Sequence, residues 1–456
     1  MKLQLDTIRD SEFHKKLLPL VFPIAFQQFM IAFVTASDAL MLGAISQDLL
    51  SAASLAGQVT FVYNLFLMAM TIGTSIFAAQ YYGKGDYISI EKILAIVLRV
   101  SVTVSFLFFM GTTIFPIYLM RIFTSEQKLI ELGIPYLRIV GITYLLCGVS
   151  QIYLCIMKNC GQAFKSMVIS SSTAILNIIL NMILIFGLFG FPEMGIAGAA
   201  IATTISRTVE LCWTFIESLG TQRIKIRREY LCHVDAKLKK SFEKYTFPVL
   251  GNELVWGCGF TMYSVVMGHL GSDAVAANSI ANIVKNLIAC FCLGLGSGGG
   301  IMVGNELGAG KLQEARKYGS NLCHLSIVSG ILSGLLLLAV MPIVLHFSDL
   351  SHQAEYYLKW MLIMCSYYVV GKAVNGTTIA GIFCAGGDSK FGFRCDAITI
   401  WCFTVPLGLI SAFVLDMPVP VVYFLVNLDE IVKLPAVYKH YKKYNWVKDL
   451  TIKEGM

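Results

Sequence analysis

Apolar runs, each long enough to cross a hydrocarbon core, follow one another almost from end to end of this 456-residue chain. One crossing needs about 20 residues. No water reaches that depth, so every backbone N–H and C=O in such a run must be satisfied internally, by a helix or a closed barrel. The runs are continuous rather than alternating apolar with polar, which selects helices. Charged residues make up only 14% of the chain, against about 25% in an ordinary soluble domain. The connections leave no room for a sizeable soluble domain, so the membrane part is the protein.

Twelve spans are expected, over residues 18–44, 51–80, 93–118, 132–157, 166–188, 195–219, 245–269, 275–304, 318–345, 356–384, 392–415 and 419–438. Of the 35 Lys and Arg, 28 fall on alternate connections: four in the leader, eight at 223–244, six assigned to the tail and the rest between. Arg121, Lys128, Arg138 and Lys359 alone lie on the opposite side. The positive-inside rule therefore puts both termini in the cytoplasm and makes the number of spans even. The formal charge of +7 is thus topology, and nucleic acid is not a partner. The opening "MKLQLDTIRDSEFHKKLLPL" reads as a retained cytoplasmic leader, because the following span is too long for a signal-peptide core and no small-residue cleavage site precedes it.

The basic connection "TQRIKIRREYLCHVDAKLKKSFEK" divides the chain into halves that repeat. A shift of 225 takes Phe22-Pro23 to Phe247-Pro248, Gly43 to Gly268, Asp48 to Asp273, and Ala52, Ser54 and Ala56 to Ala277, Ser279 and Ala281. It also takes Gly73, Gly83 and Gly85 to Gly298, Gly308 and Gly310, and Gly161 and Lys165 to Gly386 and Lys390. Six spans per half is an even number, so both halves enter the membrane from the same side. They form a parallel repeat about an axis along the membrane normal, with a cavity expected between them. The expected division is 1–219 for the first lobe, 220–244 for the linker, 245–438 for the second lobe and 439–456 for the tail.

Ionisable residues inside spans carry the functional signal. An Asp near mid-span costs roughly 2.5–3.5 kcal/mol on insertion scales, and such residues usually face a cavity. Asp38 sits in "MIAFVTASDALMLGAI". Asn177 and Asn181 are four apart, hence on one helix face, and Thr203 lies on the next span. One carboxylate with amide and hydroxyl oxygens suits a hard monovalent cation, so Na+ at Asp38 and Asn177 is one reading. A desolvated Asp is equally a proton carrier, and the residues leave both open. In the second half Glu253 belongs to that half alone, since the repeat places Gln28 opposite it. Asp396 is expected to pair with Arg394, and Lys285 and Lys372 to neutralise Glu253 or Asp396 or to bind an anionic substrate group. Arg207 and Glu210, three apart, are expected to pair. Met30, Phe33, Tyr63, Trp256 and Tyr263 are candidate cavity linings, and Pro23 a hinge.

Other patterns dissolve. "GNELGAGK" lacks the first Gly and the final Ser or Thr of a phosphate-binding loop. The thirteen cysteines form no Cys-x-x-Cys pair and read as small apolar residues. No nucleophile elbow or zinc motif occurs, so the chain is not expected to be an enzyme, and no cofactor is implied beyond a coupling ion.

The runs "FPIAFQQFMIAFVTASDALMLG", "AAQYYGKGD" with its echo "GNELGAGK", "NIILN…EMGIAGAAIATTIS" and "GIFCAGGDSKFGFRCDAITIWCFTVPLG" together resemble the multidrug and toxic compound extrusion (MATE) family over nearly the full length. The resemblance implies an all-α membrane protein of twelve helices in two six-helix bundles, with an outward-facing central cleft. It further implies export of organic cations or drugs in exchange for Na+ or H+, and matches Asp38, Asn177 and Thr203 to the family's first-lobe site. Three positions depart. Asn181 stands where many members have Asp, Glu253 follows Pro248 by five residues with Trp256 at the usual acidic position, and Cys384 replaces an arginine. The expected protein is a monomeric secondary antiporter of a bacterial or archaeal plasma membrane, in contact with lipids and small organic substrates. A lipid-linked oligosaccharide flippase of the same superfamily is the alternative.

Overall fold

The computed structural model describes residues 11–220, 224–233, 235–348 and 350–452. The first ten residues of the leader, 221–223 and 234 of the linker and the end of the tail lie outside them, as does residue 349. Among the described residues every regular element is helical, and eight helices are long and apolar enough to cross a membrane. The first half contains α1 (Ser11–Ile45), α2 (Gln47–Lys84), α3 (Tyr87–Ile114), the short α4 (Pro116–Phe123), α5 (Gln127–Asn159), α6 (Ala163–Phe186) and α7 (Gly195–Leu219). After a short linker helix, α8 (Arg228–Cys232), the second half contains α9 (Ala236–His269), α10 (Ser272–Gly308), α11 (Leu312–Phe347) and α12 (His352–Asn375).

The last three expected spans are not uniform helices. A π-helical segment, Gly376–Phe383, continues α12, and a second, Ala397–Thr404, joins α13 (Ser389–Asp396) to α14 (Val405–Phe413). The twelfth span is divided into α15 (Val419–Val426), α16 (Asp429–Val432) and α17 (Leu434–Tyr441). π-Helical turns in long helices concentrate at functional sites.

The internal repeat is visible in the backbone. The 225-residue shift takes the start of α2 to the start of α10, that of α3 to that of α11, and that of α5 to that of α12. Gly85 (φ +77°) and Gly310 (φ +75°) occupy the same left-handed turn, a conformation that costs a side chain but not glycine. Further along, the register slips by one: the left-handed partner of Gly161 (φ +78°) is Gly387 (φ +75°), not Gly386. Asp48 is held by Lys128 at the start of α5, and its repeat mate Asp273 by the Ser351 hydroxyl at 2.7 Å, just before α12.

Two compact units emerge: Met1–Phe29 with Ala79–Gly85 and Glu243–Met456, and Met30–Ala78 with Asp86–Phe242. The boundary cuts α1 between Phe29 and Met30.

In the first unit, α2 and α10 cross backbone to backbone at their C-terminal ends. A Cβ on Gly83 would lie 1.9 Å from the Asn305 carbonyl oxygen, and one on Gly308 1.8 Å from that of Gln80. The repeat pairs Gly83 with Gly308 and Gln80 with Asn305, so the contact is reciprocal. Gln80 then staples the tail: its Nε2 donates to the carbonyls of Ala385 (2.7 Å) and Lys448 (3.2 Å), and its Oε1 accepts from the Leu450 N–H (2.7 Å). Lys84 donates to the Thr451 carbonyl (3.0 Å), and Lys16 to Glu306 (2.8 Å). Fully buried Trp446 packs in a core with Phe13, Leu17, Leu322 and Phe383.

Lys433, counted with the tail's exposed basic residues in the sequence, is instead 4% exposed. Its Nζ lies 2.9 Å from Asp396, 3.2 Å from Glu430 and 3.9 Å from Asp429. It ties the broken twelfth span to the junction of α13 with its π-helical continuation. Asp396 therefore pairs with Lys433, not with the expected Arg394; the local partner loses to one 37 residues away whose burial excludes competing water.

In the second unit, Glu210 is fully buried and accepts from Ser150 (2.8 Å), Gln151 (2.8 Å) and Arg207 (2.8 Å), so the expected Arg207–Glu210 pair forms. At the linker, Asp235 accepts from the N–H groups of Leu238 and Lys237 at the start of α9, and these bonds, Leu238's foremost, hold its carboxyl below the usual range.

Two predictions test this packing. Gly308→Ala, which drives a methyl into a carbonyl, should lower stability by about 1–3 kcal/mol, whereas Gly57→Ala, with nothing within 4 Å, should be neutral. Lys433→Met leaves three buried carboxylates without their amine and should lower stability by about 3–5 kcal/mol. Thermal unfolding of the detergent-solubilised protein measures both.

Candidate functional site

The first-half site is built by the part of α1 beyond Phe29 together with α6 and α7, all within one unit. Gly198 lets α7 approach α6: a Cβ there would lie 2.6 Å from the Leu184 carbonyl oxygen. That close approach brings Thr203 to Asn177, whose Nδ2 donates to Thr203 Oγ1 at 3.3 Å. One turn along, Asn181 Nδ2 donates to Asn177 Oδ1 (3.1 Å) and to Asp38 Oδ1 (2.5 Å). All four residues expected to form a site are thus in one connected network. Asn181 is fully buried and Asn177 nearly so. Around them lie the apolar side chains of Leu42, Ile185 and Ile196, with Tyr136 alongside.

Two properties set this cluster apart from helix glue. Among the described residues no basic group pairs with Asp38; its hydrogen-bond partner is a neutral amide. Asn181 Oδ1 is buried without any hydrogen-bond partner. An orphaned acceptor beside this carboxylate, with Asn177 and Thr203 oxygens adjacent, groups oxygens of the kind a hard cation prefers.

The cavity linings divide. Phe33 is exposed and Met30 buried. Tyr63 is 1% exposed and does not line a surface: its hydroxyl bonds Ser105 Oγ (3.0 Å) and donates to the Tyr144 carbonyl (2.8 Å), which locks it into the core. Pro23 lies inside α1, which remains helical through it.

In the second half a pocket enclosing about 500 Å³ of empty space, open solvent at its mouth included, is lined by Trp256, Tyr263, Lys285, Tyr368 and Asp429 among others. Trp256 stacks on Phe260 with ring centres 5.8 Å apart, and the Tyr263 hydroxyl bonds Thr404. Lys285 and Lys372 do not neutralise Glu253 or Asp396 as one reading expected. Lys433 takes that role for Asp396, because it sits one helical turn from Asp429 and Glu430 and so brings an acidic cluster with it. Glu253 is 9% exposed, within electrostatic reach of Asp396, and forms no ion pair among the described residues. Sequence reasoning missed Lys433; the spacing Asp429, Glu430, Lys433, which places all three on one helix face, is the signal that would have found it.

The MatE family model matches residues 23–183 and again 248–410, once in each half. The uncharacterized transporter YisQ of Bacillus subtilis is 20% identical over 440 residues, covering 95% of each chain. The probable multidrug resistance protein NorM of Bradyrhizobium diazoefficiens is 25% identical over 415 residues, 87% of this chain and 86% of its own. A crystal structure of the Vibrio cholerae MATE transporter VcmN superimposes with a TM-score of 0.86 at 15% identity, over 96% of this chain and 99% of that one. The architecture is that of twelve spans in two bundles. With its halves matched separately, its fold shared and its polar first-half cluster assembled on the expected helices, the chain belongs to the MatE family of membrane transporters.

Proposed function

We propose that the protein is a secondary antiporter that exports amphipathic organic compounds in exchange for inward-moving Na+ or H+. The observation that carries this reading is the Asp38 carboxylate, held in an apolar span by an amide and, among the described residues, by no basic group. A charge in that position is stabilised when a cation joins it, so ion occupancy and the conformation of α1 are coupled. That the NorM relatives are named probable multidrug resistance proteins agrees with export of this kind.

The lobes 1–219 and 245–438 would rock between inward- and outward-open states in a plasma membrane, with both termini cytoplasmic. In the conformation described, residues 11–29 and 79–85 are packed with the second half's helices. Rocking therefore requires Gln80 to release the Ala385 and Lys448 carbonyls and Lys16 to release Glu306. α1 is suited to transmit ion binding to those contacts. It carries Asp38 toward one end, the docked segment at the other, and Pro23 between them, where a backbone hydrogen bond is missing.

Proteoliposomes loaded with a fluorescent dye, with Na+ and pH gradients imposed separately, test the reading. Asp38→Asn should insert and fold normally, yet gradient-driven efflux should fall to the protein-free background; full efflux in that variant would end the proposal. Asn181→Ala, which removes a neighbouring oxygen but leaves the carboxylate, should weaken the apparent affinity for the coupling ion by about tenfold.

A further inference from the structure

The export reading leaves the charge of the substrate open, and the second-half pocket bears on it. Lys285, only 4% exposed, lines this pocket. Its ammonium lies 4.8 Å from the centre of the Tyr368 ring, and that of half-buried Lys372 lies 6.0 Å from the same ring and 6.0 Å from that of Trp256. Among the described residues neither lysine forms a hydrogen bond or an ion pair. Their contacts are aromatic faces, which leave the ammonium protons unsatisfied.

The neighbouring acids do not take up those protons. Asp396, Asp429 and Glu430 converge on Lys433, and Asn375 donates to Glu430 Oε2 at 2.8 Å. Nor does packing of the fold demand two lysines here. The repeat places Thr60 opposite Lys285 and Cys147 opposite Lys372, and in the first half these positions are filled without charge: Thr60 bonds the Tyr144 hydroxyl at 2.9 Å. The same shift pairs Asp38 with Tyr263, a pocket-lining residue. The two lysines and Asp38 are thus each peculiar to one half: the repeat sets uncharged Thr60, Cys147 and Tyr263 opposite them.

We propose that the second-half pocket binds the anionic end of an amphipathic organic acid between Lys285 and Lys372, with its apolar body against the stacked Trp256 and Phe260. A carboxylate there replaces cation–π contacts with charge-assisted hydrogen bonds, and the stacked rings supply a flat surface for an aromatic or fused-ring body. Asp429, at the same wall, sets the orientation by repelling the carboxylate toward the lysines.

The inference deepens the export reading, and direct binding separates the two. Equilibrium dialysis of the full-length purified protein against 1-naphthoate, 1-naphthamide and 1-naphthylmethylammonium varies the end group on one body. The naphthoate should bind about tenfold more tightly than the amide, and the ammonium most weakly. In Lys285→Gln/Lys372→Gln the naphthoate should fall to the affinity of the amide, whose own binding stays unchanged; Lys285→Arg/Lys372→Arg should retain the preference. Wild-type protein that binds the three compounds alike, or prefers the ammonium, overturns the proposal, and that comparison stands even where a variant fails to fold. A preference that survives the double Gln variant overturns it too. If naphthoate binds in this lysine-dependent way but no gradient drives flux of any probe, the antiport reading fails while the site stands.

Discussion

A carboxylate in an apolar span, met by an amide rather than by a cation, is the constraint on which the account rests. Charge at that depth is costly, and proteins normally offset it with a fixed partner. Here the Asp38 oxygen accepts from Asn181, which accepts nothing on its own buried carbonyl oxygen. The network running on through Asn177 to Thr203 positions oxygens without supplying positive charge. On the proposed reading, a mobile cation would complete this set of oxygens, and its coming and going would drive transport.

The second half solves its charge problem in the opposite way. Lys433 lies within 4 Å of three acids inside the protein, hydrogen-bonded to Asp396, and the cluster joins the divided twelfth span to the eleventh at a π-helical junction. Among the described residues Lys285, which lines the pocket, and Lys372, near its Trp256 and Tyr368 rings, form no ion pair with that cluster. On the proposals made above, one duplicated scaffold would carry a cation site in the first half and an anion site in the second. The repeat shows in the backbone as well, in the reciprocal crossings of Gly83 on Asn305 and Gly308 on Gln80.

Most of the scaffold was legible in the sequence, since span length and a repeat at a shift of 225, broken only by a one-residue slip near Gly387, depend on strong, local signals. The Asp38 set was legible too: Asn177 and Asn181 share a face by helical spacing, and Gly198 marks the close approach that brings α7 to them. What was not legible depended on non-local pairing. Lys433 looked like one more tail lysine, and Arg394 looked like the natural partner of Asp396, because adjacency is visible in a sequence and burial of a distant amine is not. Tyr63 read as a cavity residue from its type alone, whereas its hydroxyl is consumed by Ser105 and the Tyr144 carbonyl. The π-helical stretches left no residue signature, for a shift in hydrogen-bond register changes no composition.

The most direct test of the central claim looks at the carboxylate itself. Infrared difference spectra of protein with isotope-labelled aspartate, recorded as Na+ is added and as pH is lowered, report any carboxylate whose surroundings change. The account predicts an aspartate band that responds to at least one of these cations and is missing from Asp38→Asn. A spectrum indifferent to both cations, or the same response in the variant, would contradict it.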